Sequence, residues 1–128
     1  ETNDTWARDH GAITLLDADG VSLLDFKFNG WGLKFASDKD NLITRRAVES
    51  EVMKGKYVNR LGFVLEGGSI ESDGMGTLLT TSECLLSPNR NGQMNRVEMR
   101  NIFVPFFTCN VFFGWTTVIW QVTIRTVI

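Results

Sequence analysis

Three short stretches bring together residue types that can do chemistry. The segment "NDTWARDHG", residues 3–11, holds Trp6, Arg8, Asp9 and His10. "FNGWG" carries Asn29 and Trp31 among glycines, and "LEGGS" sets Glu66 at the end of an apolar run, ahead of Gly67 and Gly68. Carboxylates beside tryptophans suit a flat organic cation. A carboxylate accepts paired N–H···O bonds from a guanidinium, and an indole face adds cation–π attraction. A plainer reading competes with this one: Asp9 caps a turn or pairs with Arg8, Glu66 is a solvated strand end, and the tryptophans belong to the core. Residue types alone favour the plainer reading, because aromatic side chains default to the interior.

Other chemistries find less support. His10 is the only histidine; general base is conceivable, but a lone histidine in a turn is more often a surface residue. Cys84, in "TTSECLL", reads as a buried strand cysteine rather than a nucleophile. No CxxC, HExxH or phosphate-loop pattern is present. The net charge of −2, with scattered basic residues, gives no nucleic-acid footprint. Two cysteines, Cys84 and Cys109, make no disulfide framework. The first residues show no basic stretch followed by an apolar one, so no secretory signal is read and a cytoplasmic location is expected. Residues upstream of Glu1 are expected to be missing.

The elements that must position these residues follow from pattern. At 128 residues the chain is one domain or a piece of one. Residues 12–28 read as two strands around "DADG", where glycine accepts the positive φ of a tight turn. "SDKDNLITRRAVESEVMKGK" reads as a helix capped by Ser37, Asp38 or Asp40, with Ile43, Ala47, Val48 and Val52 on one face and Gly55 closing it. "GFVLE" reads as a buried strand, and "GGSIESDGMGTLLTT" as a strand, an Asp73-Gly74 turn and a strand. "DADGVSLLDF" and "ESDGMGTLLT" resemble two copies of one hairpin on either side of the helix, a weak internal repeat. Met94, Val97 and Ile102 form the apolar side of a later amphipathic helix.

Taken together, "NDTWARDHG", "FNGWGLKF" and "LEGGSIESDGMGTLLTTSECLLSPNRN" closely resemble the agmatine deiminase and Porphyromonas-type peptidylarginine deiminase family of guanidino-group-modifying enzymes, over about residues 2–103. The resemblance implies an α/β (α+β) fold: part of a five-fold α/β propeller of β-β-α-β units, about two of them in residues 1–103. It implies hydrolysis of a guanidine C–N bond by a cysteine thiolate, with a histidine-activated water and two carboxylates, and without metal or other cofactor. By resemblance Asp9 is one of the catalytic carboxylates, Trp6 walls the pocket and Glu66 lies near the substrate. The implied partner is a small guanidinium compound, agmatine or an arginine derivative, with no nucleic acid and no membrane. His10 stands where many members have a small polar residue, and "SIESDG" replaces "SIHVDG", which leaves substrate choice open.

The ending departs from the family. No acidic residue follows Glu98, and residues 102–124 carry no formal charge. A membrane span needs about 20 mostly apolar residues, but Pro105, Asn110 and Gln121 interrupt this stretch. Reading possible codons from each third base offers another account. Trp115-Thr116 forces Asp, Trp120-Gln121 forces Ala, and residues 109–128 together permit "QRVLWLDHGYLAGDDTDSH", the segment a family member would have next. Residues 104–128 are therefore expected to be an out-of-frame translation, with the slip near Val104 or Pro105. The chain lacks the family's histidine pair and nucleophile, so no turnover is expected from it alone.

Overall fold

Residues 12–28 fold as the hairpin that their pattern predicts. The structure, a computed structural model, describes residues 1–72, 78–107, 109–111 and 122–124. Its residues divide into two units, 1–68 and 69–127.

In the first unit a single helical turn, α1 (Ala7–His10), precedes β1 (Ile13–Asp17) and β2 (Gly20–Lys27). The two strands pair antiparallel from Ile13↔Leu24 to Asp17↔Gly20, leaving Ala18 and Asp19 as the loop. Gly20 takes φ +117°, and the Asp17 carboxylate accepts from Asp19 N–H at 2.9 Å, so the aspartate shapes the turn as well as the glycine. Leu23, Leu24, Asp25 and Phe26 are buried in succession. Successive strand residues face opposite ways, so both faces of β2 are covered.

A turn, α2 (Gly30–Leu33), a 3₁₀ turn at Asp40–Leu42 and the helix α3 (Ile43–Glu49) then lead to β3 (Lys56–Val64). β3 pairs parallel with β2, from Ser22↔Lys56 to Phe26↔Arg60, and the register shifts before Lys27↔Val64. The sheet order is β1-β2-β3, so this unit has the element order β-β-α-β.

Several expectations for this stretch are corrected. The helix is shorter than its pattern predicts: it stops at Glu49, Glu51 takes φ +59°, and Val52 is 79% exposed rather than on the packed face. A left-handed residue cannot continue a right-handed helix, which ends it well before Gly55. Asp40 is no helix cap. Its Oδ1 accepts from the N–H groups of Asn3 (2.8 Å) and Asp4 (3.2 Å). The strand read in "GFVLE" begins earlier, at Lys56.

The second unit opens with β4 (Ile70–Ser72) and β5 (Leu78–Thr80), paired antiparallel from Ile70↔Thr80 to Ser72↔Leu78. The expected Asp73-Gly74 turn lies outside the described residues. Two short turns, α4 (Ser82–Leu85) and α5 (Pro88–Asn91), precede the longer α6 (Arg96–Phe107), and β6 (Cys109–Val111) and β7 (Val122–Ile124) complete a sheet of order β4-β5-β7-β6. Thr81 caps α4 by accepting from Cys84 N–H at 3.4 Å. Cys84 is thus a half-buried helical residue, not a buried strand cysteine. The packed side of α6 is Met99, Phe103 and Phe107, spaced four apart on one helical face, with the two phenyl rings stacked at 5.6 Å. Val97, expected on that side, is 66% exposed.

Candidate active site

The first unit brings the three chemically promising stretches together at one carboxylate. Asp9 lies in α1, half-buried. Its Oδ2 accepts from the indole Nε1–H of Trp31 at 3.0 Å, and its Oδ1 accepts from the backbone N–H of Gly68 at 2.9 Å. Each carboxylate oxygen therefore holds one donor, and the donors come from segments 22 and 59 residues away in sequence.

The glycines after Glu66 are explained by this contact. A side-chain carbon on Gly67 would collide with the Arg8 carbonyl oxygen, and one on Gly68 would collide with Asp9 Oδ1. Only glycine at 67 and 68 lets this backbone lie directly against α1. Glu66 is 3% exposed, so its reading as a solvated strand end is corrected.

Trp31 reaches Asp9 from an uncommon piece of backbone. Gly30, Trp31, Gly32 and Leu33 take φ of +64°, +56°, +82° and +68°, a single left-handed turn. It is closed by Leu33 N–H to Asn29 O (2.9 Å) and Lys34 N–H to Gly30 O (3.0 Å), and the Asn29 side chain accepts from Gly32 N–H at 2.9 Å. Left-handed backbone costs roughly 1–2 kcal/mol at each non-glycine residue, here Trp31 and Leu33. The surroundings must hold it. Trp31 is gripped edge-on by Phe28 (5.6 Å, 85°) and Phe35 (6.0 Å, 88°).

A hub at residues 40–41 ties both halves of the site to the fold. Buried Asp40 binds the two backbone N–H groups that lead into α1. Asn41 accepts from Phe28 N–H at 2.8 Å and donates to Phe28 O at 2.7 Å and Ser37 O at 2.6 Å. It serves Phe28 as a strand neighbour would, at the point where the left-handed turn begins.

The remaining candidates fall on different ground. Trp6 precedes α1 and is 65% exposed; its carbonyl accepts from Asp9 N–H at 2.9 Å and its own N–H donates to Asp4 Oδ1 at 2.7 Å. It is exposed rather than part of the core. His10 is corrected from a surface residue to a buried one. It is 5% exposed, with its ring tilted against Phe28 at 5.9 Å and neither ring nitrogen hydrogen-bonded. Among the described residues no three His, Cys, Asp or Glu side chains gather as a metal site requires. No helix among them is long and apolar enough to cross a membrane.

Sequence reasoning placed Trp31 in a promising stretch but did not connect it to Asp9. The available signal was a tryptophan between two glycines, a composition that permits a left-handed turn without specifying one. Asn41 carried no signal of its own.

Comparison with known proteins defines the class first. The mixed α/β fold matches solved arginine and agmatine deiminase structures of the pentein superfamily. The chain superposes on an arginine-deiminase-type structure from Porphyromonas gingivalis with TM-score 0.76 and 52% identity, covering 83% of this chain and 32% of that one. A substrate-bound variant of C. jejuni agmatine deiminase gives TM-score 0.73 and 39% identity, covering 84% and 32%. The agmatine deiminase of Stutzerimonas stutzeri is 40% identical over 110 residues, 79% of this chain. The family model for Porphyromonas-type peptidyl-arginine deiminase matches residues 1–121, and the chain belongs to that family. It spans 28–30% of the length of the curated relatives it matches.

Proposed function

We propose that the complete protein hydrolyses the guanidine group of a small substrate, agmatine in the first instance, to N-carbamoylputrescine and ammonia. The observation that carries this reading is the Asp9 carboxylate, fixed by one N–H donor on each oxygen. A carboxylate so held keeps acceptor sites on both oxygens for the parallel N–H groups of a guanidinium. Relatives named as agmatine deiminases support the substrate class.

In this reading Asp9 clamps the cation and balances its charge as the reaction proceeds. Trp6 offers an exposed indole face to the flat guanidinium, and Glu66, buried, lies near the substrate. A cysteine thiolate elsewhere in the complete protein attacks the guanidinium carbon. The C–N bond to the leaving nitrogen breaks, that nitrogen departs as ammonia, and water activated by a histidine releases the ureido product. Peptidylarginine is the second substrate, favoured by the description of the matching family. Incubating the full-length protein with agmatine and, separately, with an arginine-containing peptide decides between them. Ammonia with a carbamoylated amine identifies agmatine; ammonia with peptidylcitrulline identifies the peptide; neither refutes the proposal.

The same reading extends to the propeller and the tail. Residues 1–103 supply about two β-β-α-β units of a five-unit propeller, which the element order of the first unit supports. Residues 104–128 are an out-of-frame translation of the following segment, a reading supported by the codon pattern above, and this chain alone is without turnover. Sequencing the encoding DNA around codons 104 and 105 tests the slip. An uninterrupted frame that keeps this ending in close relatives would refute it.

A further inference from the structure

We propose that Trp31 is the positioning residue for the Asp9 carboxylate, and that the left-handed turn at residues 30–33 is the device that delivers its indole N–H. This rests on the reading of Asp9 as the guanidinium clamp.

An ionised carboxylate has about four lone-pair sites, two on each oxygen. The indole occupies one on Oδ2 at 3.0 Å, and Gly68 N–H occupies one on Oδ1 at 2.9 Å. The two donors, one on each oxygen, stop rotation about the Cβ–Cγ bond. One site per oxygen is left for a two-pronged cation. An indole suits this task because it donates and cannot accept, so it never competes with the substrate for the role of acceptor.

The backbone is consistent with a side-chain purpose. Asparagine, aspartate or glycine would occupy a left-handed position at less cost than tryptophan, yet Trp31 stands there at φ +56°, ψ +49°. Backbone strain of this kind persists where surrounding structure over-determines it, often at functional sites. Phe28 and Phe35 both pack edge-to-face with the ring, and the Asn29 side chain accepts from Gly32 N–H within the turn. Burial alone would not require this arrangement, because the indole nitrogen could point to water. Instead its one donor is spent on the candidate clamp.

The test keeps the ring and deletes the donor. Trp31 is replaced by 3-benzothienylalanine, which has sulfur where the indole has N–H, and Trp31→Phe serves as a second variant. In the full-length protein acting on agmatine, both are expected to lose about 10–100-fold in kcat/KM, as for one hydrogen bond to a charged group, mostly in kcat. In the 128-residue chain, the Trp31 indole N–H resonance is expected to move on Asp9→Asn while that of Trp6 stays in place. Unchanged kcat/KM in the benzothienyl variant, or an indole signal indifferent to Asp9→Asn, overturns the positioning role. Full activity of Asp9→Asn itself overturns the underlying reading of the clamp instead, so the two failures are distinguishable.

Discussion

The two units show different ways of organising a sheet. In the first, strands of five, eight and nine residues combine an antiparallel hairpin with a parallel return through α3. In the second, the strands among the described residues have three residues each and pair antiparallel, and α6 supplies the buried Met99, Phe103 and Phe107. Long strands with a covered centre can carry strain at their ends. The left-handed turn and the glycine turn against Asp9 both leave the ends of β2 and β3. The second unit has buried apolar residues of its own, among them Met99, Phe103 and Leu78, but its strands are short. The left-handed turn and the candidate site thus fall in the same unit.

This contrast can be broken by substitution. The largest stability effect is expected at Phe28, 1% exposed and in ring contact with both His10 and Trp31. Phe28→Ala is expected to cost about 3–5 kcal/mol in urea unfolding and to release the Trp31 indole, visible as a fluorescence change. Met99→Ala, at a position also 1% exposed, is expected to cost about 2–5 kcal/mol. Its effect should stay in the second unit: amide exchange in residues 78–107 quickens while β1–β3 keep their protection. Loss of protection in β1–β3 would show that the two units are not energetically separate.

Asn41→Ala removes three hydrogen bonds around Phe28 and Ser37. It is expected to cost about 1–3 kcal/mol, as when a buried backbone group loses its partner.

A smaller effect concerns Asp25, buried on β2, the central strand of the first sheet. Desolvation holds its carboxyl above the ordinary 3.8, against the Tyr57 hydroxyl that donates to it at 2.8 Å. The folded chain therefore holds that proton more tightly than the unfolded one. The resulting stability is full below pH 3.8 and is lost as pH rises through the folded value. Asp25→Asn escapes that loss, so its stability relative to the parent should rise with pH above about 4, read by urea midpoints across pH 3–7. A difference that falls with pH would reverse the sign of the argument. Desolvation and the same contact push the Tyr57 hydroxyl up to about 12, so a further loss is expected as pH rises from 10 to 12.

Much of this fold was legible and much of the site was not, for physical reasons. The hairpin at residues 12–28 was legible because Asp17 and Gly20 act on the backbone within the turn itself. The helix after Ser37 was read too long because periodicity does not register a left-handed residue at Glu51. On α6, several apolar spacings suit a helix, and only packing chooses Met99, Phe103 and Phe107 among them. The site depends on long-range contacts: Asp9 meets Gly68, and Asn3 and Asp4 meet Asp40. His10 looked like a surface residue because its ring packs against Phe28, distant in sequence, and Glu66 is buried as well. Family resemblance supplied Asp9 where pattern alone favoured a turn cap, and Trp31 needed the backbone itself.

The central claim is that Asp9 binds and stabilises the guanidinium. Its most direct test is agmatine turnover by the full-length protein with Asp9→Asn, a change that keeps the size of the side chain and removes its charge. Loss of kcat/KM by about 10²–10³-fold or more is the predicted result; activity within threefold of the parent, on the order of 0.7 kcal/mol or less, would contradict it.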